Sequence, residues 1–238
     1  MPRPIIAWSY SGLTNFEGCP RRFWATKIGK VVSDVNQYNL KGDEEHQSLQ
    51  LRLTHNMPLH RNLAPLEPLM QKLAAAPGQQ YVERKLTLRQ DYVPCRGDDW
   101  NNAWVRGAAD WVKIYNVNGI YIDWKSGKPR NDFEDQINLT ALLLFEHFPA
   151  LQTLKGSMLY YRHNKLTPPH TVTRADAPLL WNGYISRVKE LEQAKINDNW
   201  PTNPSPLCGW CPYKACPFNK MDERLATEAQ GLKWKFSQ

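Results

Sequence analysis

Residues 107–128 read Gly107-Ala-Ala-Asp110-Trp-Val-Lys-Ile-Tyr-Asn-Val-Asn118-Gly119-Ile-Tyr-Ile-Asp123-Trp-Lys125-Ser-Gly-Lys128. The pattern predicts strands over 103–115 and 120–125. Asn118-Gly119 between them is a hairpin signal, because both residues tolerate positive φ. Asp123 and Lys125 lie two apart on a strand and so share a face. A turn at Asn118-Gly119 sets Ile114 opposite Asp123, Val112 opposite Lys125 and Asp110 opposite Gly127. Asp110 then shares the face of Asp123 and Lys125 but stands about 13 Å along the sheet from Asp123. Twist, a bulge or a splayed strand end is needed to close that gap. An isolated Asp-x-Lys is usually a surface ion pair worth ~1 kcal/mol or less. Here the apolar Ile120 and Ile122 precede it and a turn-forming Ser126-Gly127 follows. Two carboxylates and an ammonium on one face favour a divalent cation held by the acids, with the lysine orienting or deprotonating a water.

Outward from this hairpin the periodicity is that of an α/β chain. A short helix opens at Ser9 or Ser11, and 41–56 reads as a helix with Leu49 and Leu53 on the stripe of His46 and Gly42. Prolines 58, 65, 68 and 77 interrupt 59–76. Residues 81–88 alternate as a strand. Asn131-Asp-Phe-Glu134 has the form of a capping box opening a helix to about His147. Residues 153–161 read as a strand. Asp176-Ala-Pro opens an amphipathic helix with Leu180, Tyr184, Val188 and Leu191 on one face. Glu83 reads either as a further metal-site carboxylate or as a surface partner of neighbouring cations, the second being preferred.

The chain has 238 residues, 42% hydrophobic and 22% charged, the balance of a globular protein. No apolar run approaches the ~20 residues that span a bilayer, and the N-terminus lacks the apolar core of a secretory signal. Membrane and secreted readings are therefore poor, and a cytoplasmic location is expected. The formal charge of +7 suits a polyanionic partner.

Taken together, Asp110 and Ile122-Asp123-Trp124-Lys125-Ser126-Gly127-Lys128 resemble motifs II and III of the PD-(D/E)XK nuclease superfamily. The RecB-type and CRISPR-associated exonuclease branch is the nearest. Ser9 to Ile28, with Cys19-Pro20-Arg21-Arg22-Phe23, resembles its opening helix. Gly42-Asp-Glu-Glu-His46 resembles its Gly-x-x-x-His motif, and Gln136 begins its Gln-x-x-x-Tyr motif, with Thr140 in place of the tyrosine. Residues 57–78 match nothing in the family. The resemblance implies a restriction-endonuclease-like core, a central mixed β-sheet flanked by helices. It implies one nuclease domain over 1–238, with a helical part over 1–80, a catalytic sheet core over 81–175 and a C-terminal helix with a cysteine cluster over 176–238. It also implies Mg²⁺ or Mn²⁺ bound by His46, Asp110, Asp123 and the main-chain carbonyl of Trp124. Lys125 then positions the water, and Gln136 steadies the lysine or the DNA backbone. The implied activity is exonucleolytic hydrolysis of DNA, single-stranded or with free ends, in a prokaryotic or phage-infected cell.

Cys208, Cys211 and Cys216 have a C-x2-C-x4-C spacing, with Cys19 the natural fourth ligand. Cys95 is left over. A structural Zn²⁺ site fits this spacing as well as an iron–sulfur centre does. The resemblance favours a [4Fe-4S] cluster joining the two ends of the chain, with a second gap one residue shorter than is usual in the family. Of ten tryptophans, Trp100, Trp104, Trp200 and Trp210 are candidates for stacking on bases, although core packing is the commoner fate. A second class of function stays open: a non-catalytic DNA- or partner-binding subunit that keeps the nuclease fold. Retention of Asp110, Asp123 and Lys125 favours the enzyme.

Overall fold

The structure is a computed structural model that describes residues 5–31, 37–99 and 101–219. The described residues form two compact units. The first comprises 5–10 and 37–190, the second 11–31 and 191–219. Trp100 lies outside the described residues.

The first unit is built on a six-stranded mixed sheet. Strands β1 (Gln79–Leu88), β2 (Val105–Tyr115) and β3 (Asn118–Lys125) form an antiparallel meander. Strand β4 (Thr153–Tyr160) then pairs parallel with β3, and the short β5 (Lys165–Leu166) and β6 (His170–Thr173) pair antiparallel with β4. A parallel β3–β4 pair needs a crossover, and the helix at Glu134–His147 supplies it. It is buried almost continuously from Ile137 to Phe145. Gly156 of β4 lets it come close, since a Cβ there would meet Ile137 Cγ2 at 2.4 Å. The other layer is made by the helices Gln37–His55 and Glu67–Ala75. Leu49, Leu53, Leu63, Leu66, Met70 and Leu73 cluster there with Trp111, Ile122, Trp124 and Leu159 of the sheet. Residues 57–78, which match nothing in the family motifs, thus supply much of the apolar cover of this face. Alternation along β3 separates the layers: Ile122 and Trp124 face this cluster, while Tyr121 and Asp123 face the crossover helix.

The hairpin register differs from the sequence expectation. Tyr115 pairs with Asn118 and Ile114 with Gly119, so the two-residue turn is Asn116-Val117, with Asn116 in the left-handed region at φ 53°. Gly119 serves packing instead of the turn, because a Cβ there would meet Leu154 Cδ1 at 2.8 Å. The crossover helix also starts differently. Its N-cap is Phe133, with no side-chain cap, and Asp132 just before it is held in a fork by Arg130.

The second unit joins two remote stretches. It contains the helices Tyr10–Gly18 and Pro20–Phe23, the π turn Trp24–Ile28, and the 3-10 turn Pro206–Trp210. Phe16, Phe23 and Trp200 pack ring on ring at 5.8 to 6.3 Å. Trp104 and Trp200, two of the candidate base-stacking rings, are buried, at 4% and 3% exposure. Trp104 belongs to an aromatic cluster with Trp8, Tyr92 and Trp181. Trp210 is exposed. Among the described residues, no helix is long and apolar enough to cross a membrane.

Candidate metal centre

The shifted register is what builds the site. Pairing of β2 with β3 ends at Trp111↔Ile122, and one further step sets Asp110 directly across from Asp123. The expected gap of about 13 Å therefore does not exist, and the parity argument holds. On the other side of β2, pairing runs Val82↔Trp111 and then Arg84↔Ala109, passing over Glu83 and Asp110. Glu83, Asp110 and Asp123 thus form a row across three strands at the point where the ladder is open. Glu83 has φ 51°, a left-handed conformation that for a non-glycine residue costs of order 1 kcal/mol or more.

His46 closes the site from the helix Gln37–His55. Its Nε2 lies 2.6 Å from Glu83 Oε1 and 3.8 Å from Asp110 Oδ1. Two contacts hold this stretch of helix in place. Arg162, just after β4, donates from Nε to the buried Glu45 at 2.6 Å, and the Tyr161 hydroxyl donates to the Gly42 carbonyl at 3.2 Å. Donor atoms of His46, Glu83 and Asp110 all lie within 4.8 Å of one another. A hard divalent ion suits such a set of carboxylate oxygens and one imidazole nitrogen.

Asp110 is anchored by the Trp124 main-chain N–H, which donates to its Oδ2 at 2.7 Å. Burial, and then the charge of Asp123, push its pKa up to about 7. A carboxyl held so far above its ordinary range marks a site short of positive charge. The imidazole of His46 is shifted upward by its hydrogen bond to Glu83. These are the conditions a cation relieves, so the residues present fit a metal.

Asp123 has other company. Its Oδ2 lies 2.6 Å from Lys125 Nζ. Its Oδ1 accepts from the Tyr121 hydroxyl at 2.6 Å and from Gln136 Nε2 at 2.8 Å. Gln136 thus hydrogen-bonds the acid that pairs with the lysine. Thr140, at the helix position that lacks tyrosine, donates from Oγ1 to the Gln136 carbonyl at 3.0 Å. The Tyr121 pKa is raised well above its ordinary value by burial and by Asp123. Of the expected residues, the structure brings together His46, Asp110, Asp123, Trp124, Lys125 and Gln136. It adds Tyr121, and it places Glu83 where the first of its two readings had it, beside the other acids. The preferred surface pairing of Glu83 is wrong, because its carboxylate binds His46. The kink at Glu83 carries no local sequence signal, whereas His46 is signalled by its spacing from Gly42.

In the second unit Cys19, Cys208, Cys211 and Cys216 line one cavity of about 20 Å³. All four are half-buried free thiols. The Asn203 N–H donates to Cys19 Sγ at 3.5 Å and the Ser205 N–H to Cys208 Sγ at 3.3 Å. Cys95 belongs to the first unit.

A family model of the PD-(D/E)XK nuclease superfamily matches residues 7–217, which take in both sites. No curated protein matches the chain significantly. Among solved structures, the one titled "Crystal structure of SSO0001" is 13% identical, over 90% of this chain and 86% of that one, with a TM-score of 0.43.

Proposed function

The chain belongs to the PD-(D/E)XK nuclease superfamily, and from that premise we propose that it is a Mg²⁺- or Mn²⁺-dependent DNA exonuclease of the RecB-type, CRISPR-associated-like branch. The proposed substrate is single-stranded DNA or DNA ends, in recombination, repair or the processing of phage or CRISPR DNA. The observation that carries this reading is the meeting of His46, Glu83 and Asp110 around one point, with the Asp123–Lys125 pair beside it.

His46, Glu83 and Asp110 are the proposed ligands, with Asp123 and the Trp124 carbonyl completing the set. A bound divalent cation would polarise the scissile phosphate and lower the pKa of a water. Lys125 Nζ, at the exposed rim of the row, holds the attacking water by a charge-assisted hydrogen bond. Tyr121 and Gln136 fix Oδ1 of Asp123, so that Oδ2 stays turned toward Lys125. Digestion of end-labelled single-stranded DNA across a titration of Mg²⁺ and Mn²⁺ tests the reading. Progressive shortening from one end is expected, while no cleavage in either metal by folded protein would refute it.

Cys19, Cys208, Cys211 and Cys216 are proposed to hold a [4Fe-4S] cluster with a structural role. Support comes from the single cavity they line and from main-chain N–H groups aimed at two of the sulfurs, as thiolate ligands of such clusters commonly receive. Iron and sulfide analysis of anaerobically purified protein tests this. Zinc in their place would assign a zinc site with four thiolate ligands.

A further inference from the structure

A groove of about 920 Å³ runs along the free edge of β1, the terminal strand of the sheet. Its floor is Tyr81 to Lys85, and its walls are the loop 94–97 and His147 at the end of the crossover helix. Glu83 belongs both to this groove and to the acidic centre, through its bond to His46. Arg84 and Lys85 are exposed, and among the described residues neither makes an ion pair. Arg96 on the far wall is forked to Asp98. The Arg84 guanidinium lies 5.7 Å from the centre of the Tyr81 ring. Burial lowers the His147 pKa, so the wall opposite adds little charge.

We propose that this groove carries a single nucleic-acid strand into the acidic centre. Arg84 and Lys85, projecting to opposite sides of the edge strand, each take a phosphate, and the Arg84–Tyr81 pair offers a face to a base. The proposal rests on the nuclease reading above, which it extends by a surface and a strand state. Exposed cations outside any ion pair match phosphates, and continuity through Glu83 leads the strand to the row of acids. A stacking face needs an unstacked base, which a single strand supplies and a duplex does not. A peptide added to the free edge of β1 is the rival occupant. It has main-chain groups to pair with but gives no use to the two cations.

The test is binding of fluorescein-labelled oligothymidylate in Ca²⁺, over a range of salt, by wild type, R84E/K85E and the control K189E/K195E. The control makes the same charge change at exposed positions that do not line the groove. R84E/K85E should bind roughly tenfold or more weakly at low salt, with a salt slope smaller by about 1.4 for two lost phosphate contacts. The control should keep wild-type affinity. Wild-type affinity and slope in R84E/K85E would overturn the groove and leave the edge to a protein strand. An equal loss in the control would reduce the effect to net charge and also overturn it. Hydrolysis of bis(p-nitrophenyl) phosphate by wild type in Mn²⁺ is measured alongside. That small ester reaches the acids without the groove. Its hydrolysis supports the nuclease reading whatever the binding result, and its inertness removes that reading and leaves the binding comparison to decide the groove.

Discussion

The acidic row and the cysteine cradle are both candidate metal sites, and they are built in opposite ways. Glu83, Asp110 and Asp123 sit on three neighbouring strands whose flanking ladder pairs fix their positions. Holding them there is unfavourable: Asp110 is pushed toward its neutral form and Glu83 is strained. The surrounding sheet core, with Trp111, Ile122 and Trp124 buried to 3% exposure or less, sustains that cost. The cysteines lie in turns and irregular chain, half-buried, with few hydrogen bonds at the sulfurs. A site built on a packed sheet is preorganised for its ligand, whereas one built on turns is organised by it. Removing a ligand residue should therefore cost chemistry in the first region and folding in the second.

The most severe test of this contrast is at the row itself. Asp123→Ala or Lys125→Ala should lower DNA cleavage by about three orders of magnitude, with an unchanged circular dichroism spectrum. Wild-type rates in either variant would mean that chemistry happens elsewhere. Cys211→Ala should do the reverse. The second unit should lose several kcal/mol of metal-linked stability, seen as poor solubility and loss of visible absorption. A soluble Cys211→Ala protein with the wild-type melting curve would place the cysteines outside any metal site.

Smaller effects probe the row in detail. Glu83→Gln should weaken Mn²⁺ binding roughly 10- to 100-fold, read by titration calorimetry, and equal affinity would return Glu83 to a bystander role. Tyr121→Phe keeps the ring and removes one hydrogen bond from Asp123. A fall in kcat of about three- to tenfold at constant KM is expected, and a loss of thermal stability alone would make the hydroxyl merely structural. The smallest effect concerns pH. A carboxyl with a raised pKa binds its proton more tightly folded than unfolded. The Asp110 contribution is therefore complete below its ordinary value of 3.8 and is gone once pH passes about 7. His46, also raised, acts in the same direction. The melting temperature of EDTA-treated protein should fall between about pH 5 and 8, and Asp110→Asn should flatten that slope. An equally steep slope in Asp110→Asn would put the titrating group elsewhere.

Much of the fold was legible because helix and strand periods are local. The strands over 81–88 and 153–161, the crossover helix and the helix carrying Tyr184, Val188 and Leu191 all occur within a few residues of their expected bounds. The errors fall where a distant group decides. Asn118-Gly119 has the chemistry of a turn, but Leu151 and Leu154 press on Gly119 and the chain turns two residues earlier. Residues 57–78 carried no motif, yet Leu63, Leu66, Met70 and Leu73 prove to be part of the core that also holds Trp111 and Trp124.

That Asp123 and Lys125 share a face follows from the order of residues alone, because the two-residue repeat of a strand belongs to the backbone. The same holds for the parity that lets Asp110 join them, and for the supply of four cysteines from two remote stretches of chain. Folding was needed to stand Asp110 across from Asp123, to complete the row with Glu83 and to bring in His46, 37 positions from Glu83. Register and long-range approach are set by which side chains fill the space between elements, and that packing is a property of the whole chain.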